Sequence, residues 1–261
     1  MTEFKNPARA RLERGELSIG IGVRLARGIE IARAMTTSGF DWLFVDMEHG
    51  TIDLDEAAQM AVASLDAGIA AIPRVPAGQF SLATRLLDGG AAGIVMPHVD
   101  TPEQAREIVD RLKYPPQGHR SVAGAMAQLG YRSVPLAEAT RNLNAETLVV
   151  VMIETPDAVR NADAIAAVPG IDVLLIGTND LSMEMGRPGE LAHPEVQAAY
   201  ERVIAACKKH GKWAGMGGVY TEDLMSRYIG MGCRFLLGGN DFSFVMAAAQ
   251  QRTKFLRAVK T

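Results

Sequence analysis

Residues 149–182 read VVVMIETPDAVRNADAIAAVPGIDVLLIGTNDLS. Two apolar runs each end in a carboxylate, Glu154 and Asp180, and the segment between them carries helical periodicity. This is the pattern of a βαβ unit, which sets the ends of two parallel strands side by side. Two carboxylates presented together, with other coordination positions open, describe a hard-cation site for Mg²⁺ or Mn²⁺ that still needs oxygens from substrate and water. A local role is also available, in which Glu154 caps the helix opening at Pro156 and Asp180 caps the helix after it. The two roles are compatible. Burying an unpaired carboxylate at the end of a run such as VVVMI is costly, which favours the metal.

Outward from this unit the same alternation recurs. LSIGIGVRL (17–25) is a short strand with glycines on one face, followed by a helix over about 28–38. Asp41–Val45 is an apolar strand of the kind buried on both faces, and it breaks into Asp46, Glu48 and His49. A helix with Asp53 as N-cap leads to strand IAAIPRV, which carries Arg74; next come helix FSLATRLLDGG, strand AAGIVMPHV, and a helix capped by Thr101 with Pro102 at its first position. Residues 114–134 have turn formers and little periodicity, and a loop this long in a compact domain is usually functional. A short helix (PLAEATRNLN) precedes the central unit. After it follow helix HPEVQAAYERVIAACKKHG, strand KWAGMG, helix TEDLMSRYIGMG, strand CRFLLGG and a last helix over about 241–259.

Eight strand-like runs thus alternate with eight main helices. This favours a closed parallel (β/α)₈ TIM barrel, a single α/β domain over residues 1–261, with catalytic groups at the carboxyl ends of the strands. Asp46, Glu48, His49, Arg74, His98, Glu154 and Asp180 all fall there. An open doubly wound sheet calls for a GxGxxG turn after the first strand, and GIGVRLARG does not match it.

Composition narrows the partners. A chain of 261 residues, 48% hydrophobic, with no Pro/Gly/Ser-rich linker, has the makings of one large core. A formal net charge of −3 and a pI near 6.0, without a basic stripe, argue against nucleic acid and anionic membrane and leave small molecules. No apolar run approaches a membrane span and the N-terminus lacks a signal-like apolar core, so a cytoplasmic location is expected. Cys207 and Cys233 lack metal-ligand spacing and are expected reduced and buried.

Several side chains have two readings. Arg74 points a permanent cation at the barrel mouth, either as an ion-pair partner or to stabilise charge on a substrate oxygen. His49, flanked by acids, is a candidate general base; His98 and His119 have weaker claims. Gly177, Thr178, Asn179 and Asp180 form a turn opening onto a helix, where free N–H groups favour an anion, although many such turns bind nothing. Arg120 either reaches the polar end of a second substrate or pins its loop.

With these residues in place, the chain resembles the metal-dependent (class II) pyruvate aldolases of the 4-hydroxy-2-oxoheptanedioate (2,4-dihydroxyhept-2-enedioate) aldolase family, relatives of the citrate lyase β subunit and macrophomate synthase. GFDWLFVDMEHG, Arg74, RLLDGGAAGIVMPHV, YPPQGHRS, the Glu of VMIET, GTNDLS and HPEVQAA carry the resemblance in the family's order. It implies a barrel whose C-terminal helix is exchanged between subunits, commonly in a homohexamer. It implies reversible cleavage of 4-hydroxy-2-oxo acids to pyruvate or hydroxypyruvate and an aldehyde through a metal-stabilised enolate, with Mg²⁺, Mn²⁺ or Co²⁺. It further implies that Glu154 and Asp180 are the metal ligands, Arg74 meets the pyruvyl carbonyl oxygen, and His49 pairs with Asp88. Since helix three should end at the far face of a barrel, Asp88 is expected from an adjacent subunit. Two departures stand out. Met152 occupies a position where many members have Gln, and Thr178-Asn179 replaces a frequent Pro-Ala. Two other functions stay open: a citrate-lyase-like C–C lyase acting on a hydroxyacyl-CoA, and a non-catalytic barrel that binds a keto acid.

Overall fold

The structure, a computed structural model, describes residues 3–260. Eight strands, β1 (Ser18–Val23), β2 (Trp42–Val45), β3 (Ala70–Ala71), β4 (Gly93–Met96), β5 (Leu148–Ile153), β6 (Val173–Gly177), β7 (Trp213–Gly217) and β8 (Phe235–Asn240), pair in parallel in the order 3-2-1-8-7-6-5-4. The ring closes between β3 and β4. Ala92 donates its N–H to Ala71 O (2.8 Å), Val95 to Pro73 O (2.9 Å) and Val75 to Val95 O (3.3 Å). The regular part of β3 is only two residues long, shorter than its apolar run, because Pro73 has no N–H to continue the ladder. Arg74 beyond it is nevertheless held between neighbours by single bridges to Asp46 and Val95.

Alternation along the strands divides the core. Leu43 and Val45 face the helices, whereas Trp42, Phe44, Ile72, Val150, Leu175 and Phe235 fill the barrel interior. The glycine face of β1 now has a cause: Trp42 stacks on Phe235 with centroids 4.0 Å apart, and a Cβ at Gly20 would lie 2.1 Å from the Trp42 ring. The largest interior side chain is seated where the neighbouring strand has none.

The lower end of the barrel is sealed by segments that periodicity alone did not resolve. An N-terminal helix, Pro7–Glu13, absent from the sequence reading, packs Ala8 and Leu12 against the interior, with Asn6 as its cap. Arg9 ties it down through Asp172 (2.6 Å), whose other oxygen accepts the Val149 N–H (2.8 Å). Residues 114–134 lie at this same end, because helix Pro102–Leu112 runs back from the mouth before they begin. Tyr114, Met126 and Leu129 join the floor, and Asn144 holds the backbone of Tyr114 at 2.8 and 2.9 Å. Within one chain, therefore, the long loop closes the floor and does not cover the substrate. The helix between β5 and β6 is broken into Pro156–Arg160 and Ala162–Ala166.

The last helix, Asp241–Ala258, buries only Asp241. Phe242, Phe244, Val245, Met246, Phe255 and Leu256 along it are exposed. No helix among the described residues is long and apolar enough to cross a membrane.

Candidate active site

A cavity of about 150 Å³ opens at the carboxyl ends of the strands, lined by Arg24, Phe44, Asp46, His49, Arg74, Met152, Gly177–Asp180, Tyr220 and Asn240 among others. Its centre is an arginine locked in place. Arg74 Nε and Nη2 reach the two oxygens of Asp46 (3.1 and 2.8 Å), Nη1 lies 3.0 Å from Glu48 Oε2, and the guanidinium sits 5.0 Å from the Phe44 ring centre. A planar fork gripped at both prongs cannot rotate. Asp46 is itself well satisfied: burial pushes its carboxyl up, but the Arg74 hydrogen bonds and charge and the His49 backbone N–H outweigh that and hold it below the ordinary value. Met152 adds a weak sulfur contact at 3.9 Å from Arg74 Nη1.

Glu154 is the opposite case. It is 1% exposed; its Oε2 accepts the His98 N–H at 2.8 Å, while Oε1 is buried with no partner. Burial pushes its carboxyl up to about 7, against the pull of the His98 N–H and ring, and the neighbouring charge of Asp180 raises it further. Ile153 pairs with Ile176, so Glu154 emerges beside Gly177, where a Cβ would fall 2.6 Å from Oε1. The glycine leaves space for the carboxylate. Asp180, three residues on, is exposed in the first turn of helix Thr178–Glu184.

His98 has φ 54°, rare for a residue with a side chain, and strain of this kind persists where surrounding contacts enforce it. The conformation aims both its N–H and its Nδ1 (3.3 Å) at Glu154 Oε2, with Nε2 3.5 Å from Glu48. His49 is half-exposed at the mouth, its Nε2 3.9 Å from Glu48 Oε2.

Not every expected residue is here. Arg120 is buried at the opposite end, donating to Asp88 (2.6 Å) and lying over the Tyr114 ring at 4.5 Å, so within its own chain it pins the loop and reaches no substrate. Asp88, at the foot of helix Phe80–Asp88, is equally remote from His49 in the same chain. His119 pairs with Asp110 away from the mouth. Thr178 is in the cavity wall, but its hydroxyl turns inward to Tyr200 and Gly217 O (2.6 Å each), leaving Asn179 and the backbone to face the opening.

Sequence inspection passed over the half of the mouth built after β7, β8 and β1. Tyr220, Asn240 and Arg24 line the cavity there. Behind them the buried Asp241 carboxylate collects the backbone N–H groups of Arg24, Leu25 and Ala26 at 2.8–3.1 Å. The same strand-end rule that found Arg74 would have found Arg24 and Asn240.

A divalent cation fits these residues. The unpartnered Glu154 oxygen lacks a positive partner, Asp180 is a carboxylate near enough to raise its titration, and Gly177, having no Cβ, leaves room beside that oxygen. Among the described residues no group of three or more Asp, Glu, His or Cys side chains is placed to hold a metal, so this pair would leave most coordination positions to substrate and water.

Comparison with known proteins agrees with this geometry. The model of the HpcH/HpaI aldolase/citrate lyase family matches residues 26–248. The chain is 38% identical to the 4-hydroxy-4-methyl-2-oxoglutarate aldolase tasA of Hapsidospora irregularis, over 96% of this chain and 94% of the relative. It is 36% identical to a hydroxypyruvate/pyruvate aldolase of Cupriavidus necator, over 94% and 90%. The crystal structure of an HpcH/HpaI aldolase from Desulfitobacterium hafniense superposes with a TM-score of 0.91 at 29% identity, covering 97% of each chain. With its barrel, its strand-end carboxylates and this similarity along nearly its whole length, the chain belongs to the HpcH/HpaI aldolase/citrate lyase family and is an aldolase, a carbon–carbon lyase.

Proposed function

We propose that the chain cleaves 4-hydroxy-2-oxo acids reversibly to pyruvate, or hydroxypyruvate, and a carbonyl fragment, with a divalent cation at Glu154 and Asp180. The observation that carries this is the buried, unpartnered oxygen of Glu154, beside Asp180 and a cavity that Arg74 lines. The relatives named for 4-hydroxy-4-methyl-2-oxoglutarate and hydroxypyruvate/pyruvate support the 2-oxo acid as donor. Bound there, Mg²⁺, Mn²⁺ or Co²⁺ would supply Lewis-acid polarisation of the oxo acid's carbonyl.

The chain's own groups do the rest. The 2-oxo acid carboxylate lies along the Gly177–Asp180 wall. Arg74, its plane fixed by Asp46, donates to the keto oxygen and stabilises the negative charge that grows there as the C3–C4 bond breaks. His49 takes the C4 hydroxyl proton, directly or through a water, while the electron pair of the broken bond passes to C3 as the enolate and the carbonyl fragment leaves. Protonation of C3 completes pyruvate. Glu48, near both His49 and His98, steadies the imidazolium. Asp88 can join His49 only across a subunit boundary. The exposed apolar side chains of helix Asp241–Ala258 are what an exchange between subunits of a homohexamer would cover.

Among the described residues no lysine lines the cavity, which disfavours a Schiff-base route. Chelation should abolish cleavage, Mg²⁺, Mn²⁺ or Co²⁺ should restore it, and borohydride with pyruvate should leave the enzyme active. Covalent trapping of pyruvate on a lysine would reject the mechanism.

A further inference from the structure

One cation in the cavity is not used by the chemistry above. Arg24 follows the end of β1, which lies four strands around the barrel from β5 in either direction, so it faces Glu154 across the mouth. Its loop is fixed. The Asp241 carboxylate, 7% exposed, holds the Arg24, Leu25 and Ala26 N–H groups, and Arg24 Nη2 donates to His49 O at 3.0 Å.

The charge of this side chain is poorly answered from within the protein. Its nearest carboxylate oxygen is Asp46 Oδ2, 3.4 Å from Nε, and that oxygen already accepts Arg74 Nη2 at 2.8 Å. The other Asp46 oxygen takes Arg74 Nε at 3.1 Å and the N–H groups of Glu48 and His49 at 3.2 Å. Among the described residues no acceptor meets Arg24 Nη1. A guanidinium held by its loop, 45% exposed and lining a small cavity, presents a fork that matches a carboxylate. Tyr220 and Asn240 line the wall beside it, the Asn240 Oδ1 being taken by the Ser243 N–H.

We propose that Arg24 receives a carboxylate carried on C4 of the substrate, so that the chain acts on 4-hydroxy-2-oxo dicarboxylates whose leaving fragment is itself an oxo acid. This rests on the placement above of the 2-oxo acid end at Glu154, Asp180 and Arg74. With that end fixed on the β5–β6 side, the C4 substituent points across the mouth towards β8 and β1, where Arg24 stands. Arg24 makes no bond and moves no proton; it selects the substrate.

The test uses the full-length, Mg²⁺-loaded protein and two ligands of matched length, 2-oxoglutarate, which ends in a carboxylate, and 2-oxopentanoate, which ends in a methyl group. Calorimetric affinities give one ratio for each protein. The wild type should prefer 2-oxoglutarate, Arg24→Gln should lower that ratio by about ten- to a hundredfold, as expected for losing one charge-assisted pair, and Arg24→Lys should retain part of it. A wild type without preference, or a ratio unchanged in Arg24→Gln, would overturn the proposal. Metal-dependent deuterium exchange at the pyruvate methyl of the wild type separates the two levels. Exchange with an unchanged ratio refutes the role of Arg24 alone, whereas no exchange refutes the aldolase mechanism and this inference with it.

Discussion

With no cation beside it, the buried carboxylate of Glu154 opposes folding wherever it is ionised. Its folded value of about 7 lies above the ordinary 4.5, so between these the folded state holds a proton that the unfolded chain has released. The metal-free stability therefore falls as pH rises through that window, and above about pH 7 the full penalty is present. Glu154→Gln should raise the metal-free melting temperature at pH 8 by roughly 5–10 °C, corresponding to about 2–3 kcal/mol, with a smaller gain at pH 5, while abolishing cleavage. Equal melting temperatures at pH 8 would show that the carboxylate is not strained. For Arg74 the fork is the point. Arg74→Lys keeps the charge but loses the two-pronged grip on Asp46, and kcat/KM should fall by about 10²–10³ if, as proposed, Arg74 donates to the keto oxygen. Of the two readings of Arg74 open in the sequence, the structure shows the ion pair with Asp46, and that pair fixes the guanidinium in the orientation that the proposed contact with a keto oxygen requires. The orphaned Glu154 oxygen and the left-handed His98 were not legible, since both follow from contacts made across strands.

At the level of elements, the strand ends were legible because apolar runs stop where polar side chains begin. What blurred the rest was tertiary support. PARARLE has too little apolar periodicity to be read as a helix, and it folds because Asn6 caps it and Asp172 grips Arg9. Glycines mark where elements approach. Gly177→Ala would place a Cβ 2.6 Å from Glu154 Oε1 and 2.7 Å from its Cγ, so Mn²⁺ affinity, followed by electron paramagnetic resonance, should fall by at least about tenfold. Unchanged affinity would remove Glu154 from the ligand set. Asp241 joins the last helix to the loop after β1; Asp241→Ala should cost about 2 kcal/mol and speed amide exchange at Leu25 and Ala26. Exchange rates equal to wild type would show that the loop is held by other contacts.

For the whole molecule, alternating strands and helices made the barrel readable, since each repeat buries its apolar face locally. Assembly leaves a weaker trace. The apolar residues of helix Asp241–Ala258 look like an ordinary core stripe in the sequence, and only the structure shows that, apart from the contact of Phe244 with Phe40, they are left largely exposed among the described residues. Under the proposed exchange of this helix in a homohexamer, Phe255→Asp combined with Leu256→Asp should lower the particle mass measured by light scattering, and activity should fall with it if Asp88 serves a neighbouring subunit. A wild type that is monomeric at micromolar concentration would contradict the exchange. The central claim, that Glu154 and Asp180 hold a cation which lets pyruvate enolise beside Arg74, is tested most directly by proton NMR of pyruvate in D₂O. The methyl signal should exchange with wild-type protein and Mg²⁺ or Mn²⁺, and should cease to exchange with chelator or in Glu154→Gln; exchange that persists without metal would contradict it.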